Sequence, residues 1–255
     1  MVDTIFLIFN IFVFLFGLCI GSFLNCFIYR LGKKEKITGR SYCPKCSNQL
    51  KWYDLFPVFS FVFLRGKCRD CHKKISIQYP LVEIFTALIF LLVFNKFSVI
   101  PNLIGNPGFK FWIPAFAGMT AYLIFLFYTA CSLIVIFVYD LKHYLIPDKV
   151  LFPAILLALI FSFQNTSYFI NSLLAVAVAS GFFLTIFLVS GGRWMGFGDV
   201  KLAILMGLLL GLPNVLAALF IAFFFGAIIS IVLIIFGKKG LKSEIPFGPF
   251  LIAGT

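Results

Sequence analysis

The chain has 255 residues, of which 62% are hydrophobic and only 12% charged, with a mean hydropathy of +1.08 and a net charge of +12. That balance excludes a water-soluble domain and specifies a polytopic membrane protein. The positive charge does not imply nucleic acid as a partner, because such a binder gathers its Lys and Arg on one face of a soluble unit, and here they lie between apolar runs.

A helix needs roughly 20 apolar residues to cross the hydrocarbon core. Runs of that kind lie at about 5–28, 81–98, 119–139, 149–164 and 170–190. The stretch from Val200 to Phe236 is too long for one crossing, and Gly211-Leu212-Pro213-Asn214 supplies a turn that folds it into a hairpin. The first arm is short, so it reaches back into Gly196 to Lys201, tilts, or is partly re-entrant. Ile245 to Thr255 reads as an eighth crossing cut short. The expected fold is an all-α polytopic membrane protein of about seven to eight transmembrane helices with a small zinc-ribbon-like cytoplasmic insertion. The expected parts are a first transmembrane helix over 1–28, a cytoplasmic four-cysteine domain over 29–80 and a membrane core over 81–255.

The first run lacks a basic start and is too long for a cleavable signal core, so it reads as a retained helix. With seven crossings, Lys and Arg divide sharply between the two sides. Twelve fall between Arg30 and Lys74, seven more follow Tyr139, Ser190 and Phe236, and only Lys96 and Lys110 lie opposite. The positive-inside rule then places the N-terminus outside and the 29–80 loop, Asp140 and Asp199 at the cytoplasmic face. The stretch from Pro101 to Thr120, rich in Pro and Gly, reads as an external, turn-rich loop.

The 29–80 loop carries Cys43-Pro44-Lys45-Cys46 and Cys68-Arg69-Asp70-Cys71. Two C-x-x-C pairs at this separation match a four-thiolate zinc site, each pair gripping one side of a tetrahedral ion. A segment of about fifty residues with few aliphatic side chains builds little core, and a metal supplies folding energy that burial cannot. Disulfides compete as an explanation, but a cytoplasmic loop disfavours them. Cys68 to His72 also reads as a C-x-x-C-H haem attachment, which would leave Cys43 and Cys46 without a purpose. Cys19, Cys26 and Cys131 lie in apolar runs and read as buried small hydrophobes. His72 and His143 read as solvated loop positions.

Acids are scarce, and Asp140 and Asp199 interrupt hydrophobic sequence, where an ionisable group is costly and marks a functional-site candidate. Asp148 follows Pro147 and opens the next helix, so it reads as an N-terminal cap. Asp140 has no such role, since the helix dipole opposes a carboxylate at a helix C-terminus. Asp199 sits among Gly191, Gly192, Gly196 and Gly198, which allow positive φ angles and close approach of a substrate strand. Gly196, Gly198 and Lys201 are therefore the expected substrate-facing loop. No P-loop or dinucleotide fingerprint is present. Two carboxylates held close in a poorly solvated pocket share a proton: the ionised one activates water, while the protonated one polarises a carbonyl.

These residues resemble a known family, the type IV prepilin peptidases, membrane aspartyl proteases of the GxGD class. The resemblance spans Gly21-Ser22-Phe23-Leu24-Asn25 with Ile28-Tyr29-Arg30, both C-x-x-C pairs, Tyr79-Pro80-Leu81-Val82-Glu83, and Asp140 with Ile146-Pro147-Asp148. It continues through Gly196-Phe197-Gly198-Asp199-Val200-Lys201-Leu202 and Ile245-Pro246-Phe247-Gly248-Pro249-Phe250. It implies a bacterial inner-membrane aspartic endopeptidase that removes, after a glycine, the basic leader of prepilins and pilin-like secretion subunits. Asp140 and Asp199 would be catalytic. It further implies that the four-cysteine domain accompanies N-methylation of the new N-terminus with S-adenosylmethionine, an activity for which the residues alone give no sign. Prepilins or pseudopilins and membrane lipids are the expected partners. Relatives generally continue into a full last helix beyond the motif at 245–250. Rival classes are an ion-coupled transporter, for which no internal symmetry is visible, and a non-catalytic zinc-ribbon assembly factor.

Overall fold

The computed structural model describes residues 2–103, 112–163, 166–236 and 246–255. Its helices are α1 (Val2–Lys33), α2 (Phe59–Phe63), α3 (Gln78–Leu103), α4 (Trp112–His143), α5 (Asp148–Ser162), α6 (Thr166–Ser190), α7 (Phe197–Leu210), α8 (Asn214–Ile235) and α9 (Gly248–Gly254). No strand occurs among the described residues, only two isolated antiparallel bridges. The expected all-α class holds. Two compact units divide the chain, Met1–Ile134 and Val135–Thr255.

Among the described residues, five helices are long and apolar enough to cross a membrane: Thr4–Lys33, Gln78–Lys96, Thr120–His143, Thr166–Ser190 and Asn214–Ile235. The protein is a multi-pass membrane protein. The remaining expected crossings exist as helices, but α5 and α7 have 15 and 14 residues. At ~1.5 Å per residue they are about 22 and 21 Å long, short of a hydrocarbon core of about 30 Å. The hairpin turn falls where expected, between Leu210 and Asn214. Gly211 takes φ +64°, a left-handed conformation suited to glycine. Asn171 of α6 clasps the turn, its amide donating to Leu212 O (2.9 Å) and its carbonyl accepting from Leu212 N–H (3.2 Å).

Two boundaries differ from expectation. Helix α1 runs past residue 28 to Lys33, with Arg30 and Lys33 in its last turn, where cations complement the negative helix end. The stretch expected as an external loop is partly helical, since α3 reaches Leu103 and α4 starts at Trp112. A proline in the first turn of α4 forfeits no intrahelical bond, because first-turn N–H groups have no partner anyway. Residues 104–111 of that stretch, and the basic segment 237–245, lie outside the described residues.

In unit 1, α1 and α3 meet through small residues. A Cβ added to Gly17 or Gly21 would lie 2.6 Å from the Cα of Ala87 or Glu83, so the backbones touch. Lipid offers apolar side chains no gain from leaving water, and close backbone approach supplies the packing instead. Phe90, fully buried, stacks on Phe127 at 4.3 Å. In unit 2, α6 and α7 repeat the device: a Cβ added to Gly207 would lie 2.7 Å from the Val176 backbone. Phe183, Phe223 and Phe250 surround Phe247, with centroids 6.1, 4.9 and 6.2 Å from it, and anchor the start of α9.

Candidate functional site

Asp140 lies in the last turn of α4 and Asp199 in the first turn of α7. Both carboxylates belong to unit 2. Their helix settings are opposite: the α7 N-terminus favours a negative charge, and the α4 C-terminus opposes one. Asp140 is buried, 5% exposed, and accepts a hydrogen bond from the Gly248 N–H. Asp199 is half-buried, and the two carboxylates interact electrostatically as like charges.

Two residues missed by sequence reasoning complete this pocket. Gly248 packs so tightly on Asp140 that a Cβ there would fall 2.5 Å from Oδ2. Ile146 touches both sides, within 3.2 Å of a Cβ placed on Gly198 and 3.6 Å of one on Gly248. The Phe247 cluster holds the Gly248 amide in place. Motif membership was the only sequence signal for either residue. Replacing Gly248 by Ala should push the Asp140 carboxyl aside; a shift of about 1 Å costs roughly 100-fold in rate. An assay of leader cleavage by purified G248A, inserted normally, measures this directly.

The glycine loop needs correction. Gly191 and Gly192 do take positive φ angles, +56° and +75°, but Gly196 and Gly198 do not. Gly196 is the residue before α7, with φ −75° and ψ 150°. Gly198 is small because Ile146 occupies the space its side chain would need. Asp148 is not a cap either: Pro147 precedes α5 and no side-chain cap bond forms. Instead its two oxygens accept from Lys201 Nζ at 2.8 and 2.9 Å. That pair is partly exposed and worth little stability, under about 1 kcal/mol. Lys201 also lies 5.3 Å from the Phe152 ring and 5.4 Å from that of Phe197, so the pair fixes α5 to the start of α7.

Unit 1 contains the thiol cluster. The sulfurs of Cys43, Cys46, Cys68 and Cys71 lie within 4.8 Å of one another, Cys43 and Cys71 being 4.0 Å apart. A tetrahedral site with metal–sulfur bonds of ~2.3 Å has sulfur edges of about 3.8 Å, so the four can hold one metal ion. The two knuckles have matching backbones. Cys43 N–H donates to Asn48 O and Cys68 N–H to Lys73 O, while Ser47 and His72, both with positive φ, donate back to Cys43 O and Cys68 O. Bridges Tyr42–Gln49 and Lys67–Lys74 close the two turns.

Burial of the Cys43 thiol opposes its ionisation, but the backbone amides of Lys45 and Cys46 together with the Cys46 and Cys68 thiols hold its pKa down to about 7. The same thiol contacts help push Cys46 and Cys68 up, so the cluster favours one thiolate at Cys43. A thiolate is the form that binds metal. All seven cysteines are free thiols. Cys19 is exposed on α1, and Cys26 and Cys131 are only half-buried, contrary to the expectation of buried positions. An apolar environment satisfies a thiol equally well from lipid as from protein. His72 is exposed, as expected; His143 is also exposed but ends α4, its ring tilted against that of Tyr139 with centroids 4.4 Å apart.

Arg30 and Glu83 are further buried charges in unit 1. Arg30 donates to the carbonyls of Ile37, Gly39 and Arg40, which ties the start of the four-cysteine loop to α1. Arg69 and Asp54 pair at 2.8 Å beside Tyr53, and the Arg69 guanidinium lies 4.8 Å from that ring.

A membrane protein with an acid pair at the ends of two helices and a four-thiol loop is a narrow class. Residues 15–97 match the family model described as the bacterial peptidase A24 N-terminal domain, and residues 127–231 match that of the type IV leader peptidase family. The chain belongs to the type IV leader peptidase family. It is 30% identical over 256 residues to a prepilin leader peptidase/N-methyltransferase of Vibrio cholerae, covering 92% of this chain and 90% of the relative. A Bacillus subtilis protein with the same name is 30% identical over 247 residues, 95% of this chain and 90% of the relative. The corresponding Myxococcus xanthus protein is 30% identical over 247 residues, 93% of this chain and 67% of the relative. No solved structure matches the chain.

Proposed function

We propose that this protein is a membrane-embedded aspartic endopeptidase that cuts the leader peptide from type IV prepilins and pilin-like secretion subunits, after a glycine, at the cytoplasmic face of the bacterial inner membrane. The observation that carries this reading is the interacting pair Asp140 and Asp199, at facing helix ends inside the segment that matches the peptidase family. One carboxylate is ionised and takes a proton from the attacking water while the protonated partner gives its own to the scissile carbonyl oxygen; the first then passes the water's proton to the departing amine, and the second recovers a proton from the tetrahedral diol as it collapses. The Gly248 N–H stabilises an ionised Asp140 by donating to it. Gly196, Gly198 and Lys201 border the position where the substrate backbone would lie.

The N-terminus is outside, and the cytoplasmic domain over 29–80 holds one structural zinc on Cys43, Cys46, Cys68 and Cys71. The first helix, this domain and the membrane core over 81–255 are the functional parts. A prepilin presents a basic leader followed by an apolar helix, so its cut site lies at the cytoplasmic interface, where both aspartates lie in this topology. Anionic lipid headgroups offset repulsion between the basic leader and the enzyme's basic loops.

The relatives' name also supports methylation of the new N-terminal residue; S-adenosylmethionine supplies the methyl group. A proteoliposome assay with a prepilin, with and without S-adenosylmethionine, tests both activities by mass. The expected products are the shortened pilin alone, and the shortened pilin heavier by one methyl group. An uncut prepilin would overturn the peptidase reading. A transporter or inert scaffold predicts that result, and no observation favours either.

A further inference from the structure

The start of the α1–α3 seam contains a buried acid that the aspartate pair does not use. Glu83 is 7% exposed and accepts from the Val58 N–H at 2.7 Å and from the Ser22 hydroxyl of α1. Among the described residues it makes no ion pair. One turn beyond Ser22, Asn25 is 4% exposed; its amide donates to Tyr79 O at 3.0 Å, while its Oδ1 has no partner. Val58 presents its N–H from φ +61°, a conformation that costs a β-branched residue energy and tends to occur at functional sites.

Anchoring the loop does not account for this arrangement. A glutamine would accept the same two hydrogen bonds without the cost of burying a charge. A carboxylate has about four acceptor positions, and two are used here; the Asn25 oxygen adds more. The seam therefore offers several buried acceptors, and among the described residues no cation pairs with them. Ser22, Val58 and Tyr79 around it are half-buried, so the rim of the seam is partly exposed. A small cationic donor, an ammonium group, is the ligand that chemistry fits.

We propose that Glu83 and Asn25 bind the α-ammonium group released by leader cleavage, and that Glu83 is the base for its methylation. This rests on the dual activity stated above. The ammonium gives one proton to the Glu83 carboxylate. The freed nitrogen lone pair attacks the methyl carbon of the sulfonium donor, forming the N–C bond as the C–S bond breaks. The sulfur leaves as a neutral thioether, and the product is a secondary ammonium ion.

The test is the full chain in proteoliposomes with a prepilin and S-adenosylmethionine, comparing wild type with Glu83→Gln. Gln keeps the bonds to Val58 and Ser22, so cleavage and bound zinc should match wild type while methylation falls about 100-fold or more. The residual methylation should rise about tenfold per pH unit until the ammonium itself loses its proton near pH 8, as solvent replaces the base. Methylation retained in Glu83→Gln, or lost together with cleavage in a zinc-loaded protein, overturns the proposal. Absence of methylation in wild type overturns the dual activity, a separate result. A second measurement needs no variant: a mature pilin peptide lacking its α-amino group should compete with methylation at least tenfold more weakly than the amine. Equal competition sinks the idea.

Discussion

Replacing Asp140 or Asp199 by Asn should lower leader cleavage by about 1,000-fold, the scale of losing a positioned acid or base. Asn matches Asp in size and still accepts the hydrogen bond from Gly248, so insertion and packing should persist while proton transfer stops. The two replacements together should cost hardly more than either alone, because the carboxylates act as one unit. Wild type should give a bell-shaped pH profile, reporting the pair rather than either residue. The measurement is cleavage of a prepilin in membranes, read by mass, beside protein level and membrane extraction. Retained cleavage in either variant would remove the dyad from the mechanism.

Metal removal should have the largest effect on stability. Purified protein should contain about one zinc per chain, lost when Cys43 and Cys46 are both replaced by Ser. Structural zinc is worth about 10–16 kcal/mol in small thiolate domains, more than the scant core of this loop can replace. The loop should therefore become protease-sensitive, while the Asp140–Asp199 pair, built within unit 2, keeps its local geometry. Because the ligands bind as thiolates, protons compete with metal and zinc should be released as pH falls. Metal analysis and limited proteolysis across pH measure both effects. A haem absorption band in place of zinc would falsify the assignment.

The legible features were those carried by neighbours in the chain. Paired C-x-x-C turns need only a tight local backbone, and the structure shows two matching knuckles with the four sulfurs gathered. The turn at Gly211 to Asn214 was readable because glycine and proline restrict the backbone where they stand. The misread features depended on partners far along the chain. Asp148 looked like a cap until Lys201, 53 residues away, took its carboxylate. Gly198 looked like a glycine free to take a positive φ, but its φ is not positive and its small size makes room for Ile146. Cys19 looked buried because apolar sequence does not say whether a helix face meets protein or lipid.

By itself the sequence determined that this chain belongs in a bilayer, which acids are too costly there to be incidental, and which four thiols can share an ion. Composition and local spacing act on the chain's nearest neighbours, so they survive without a fold. Only the tertiary structure decided that Gly248 donates to Asp140, that Ile146 lies against the glycines beside both acids, and that Glu83 and Asn25 share a buried seam. Those contacts join residues up to 108 positions apart, as between Asp140 and Gly248, and helix packing alone brings them together.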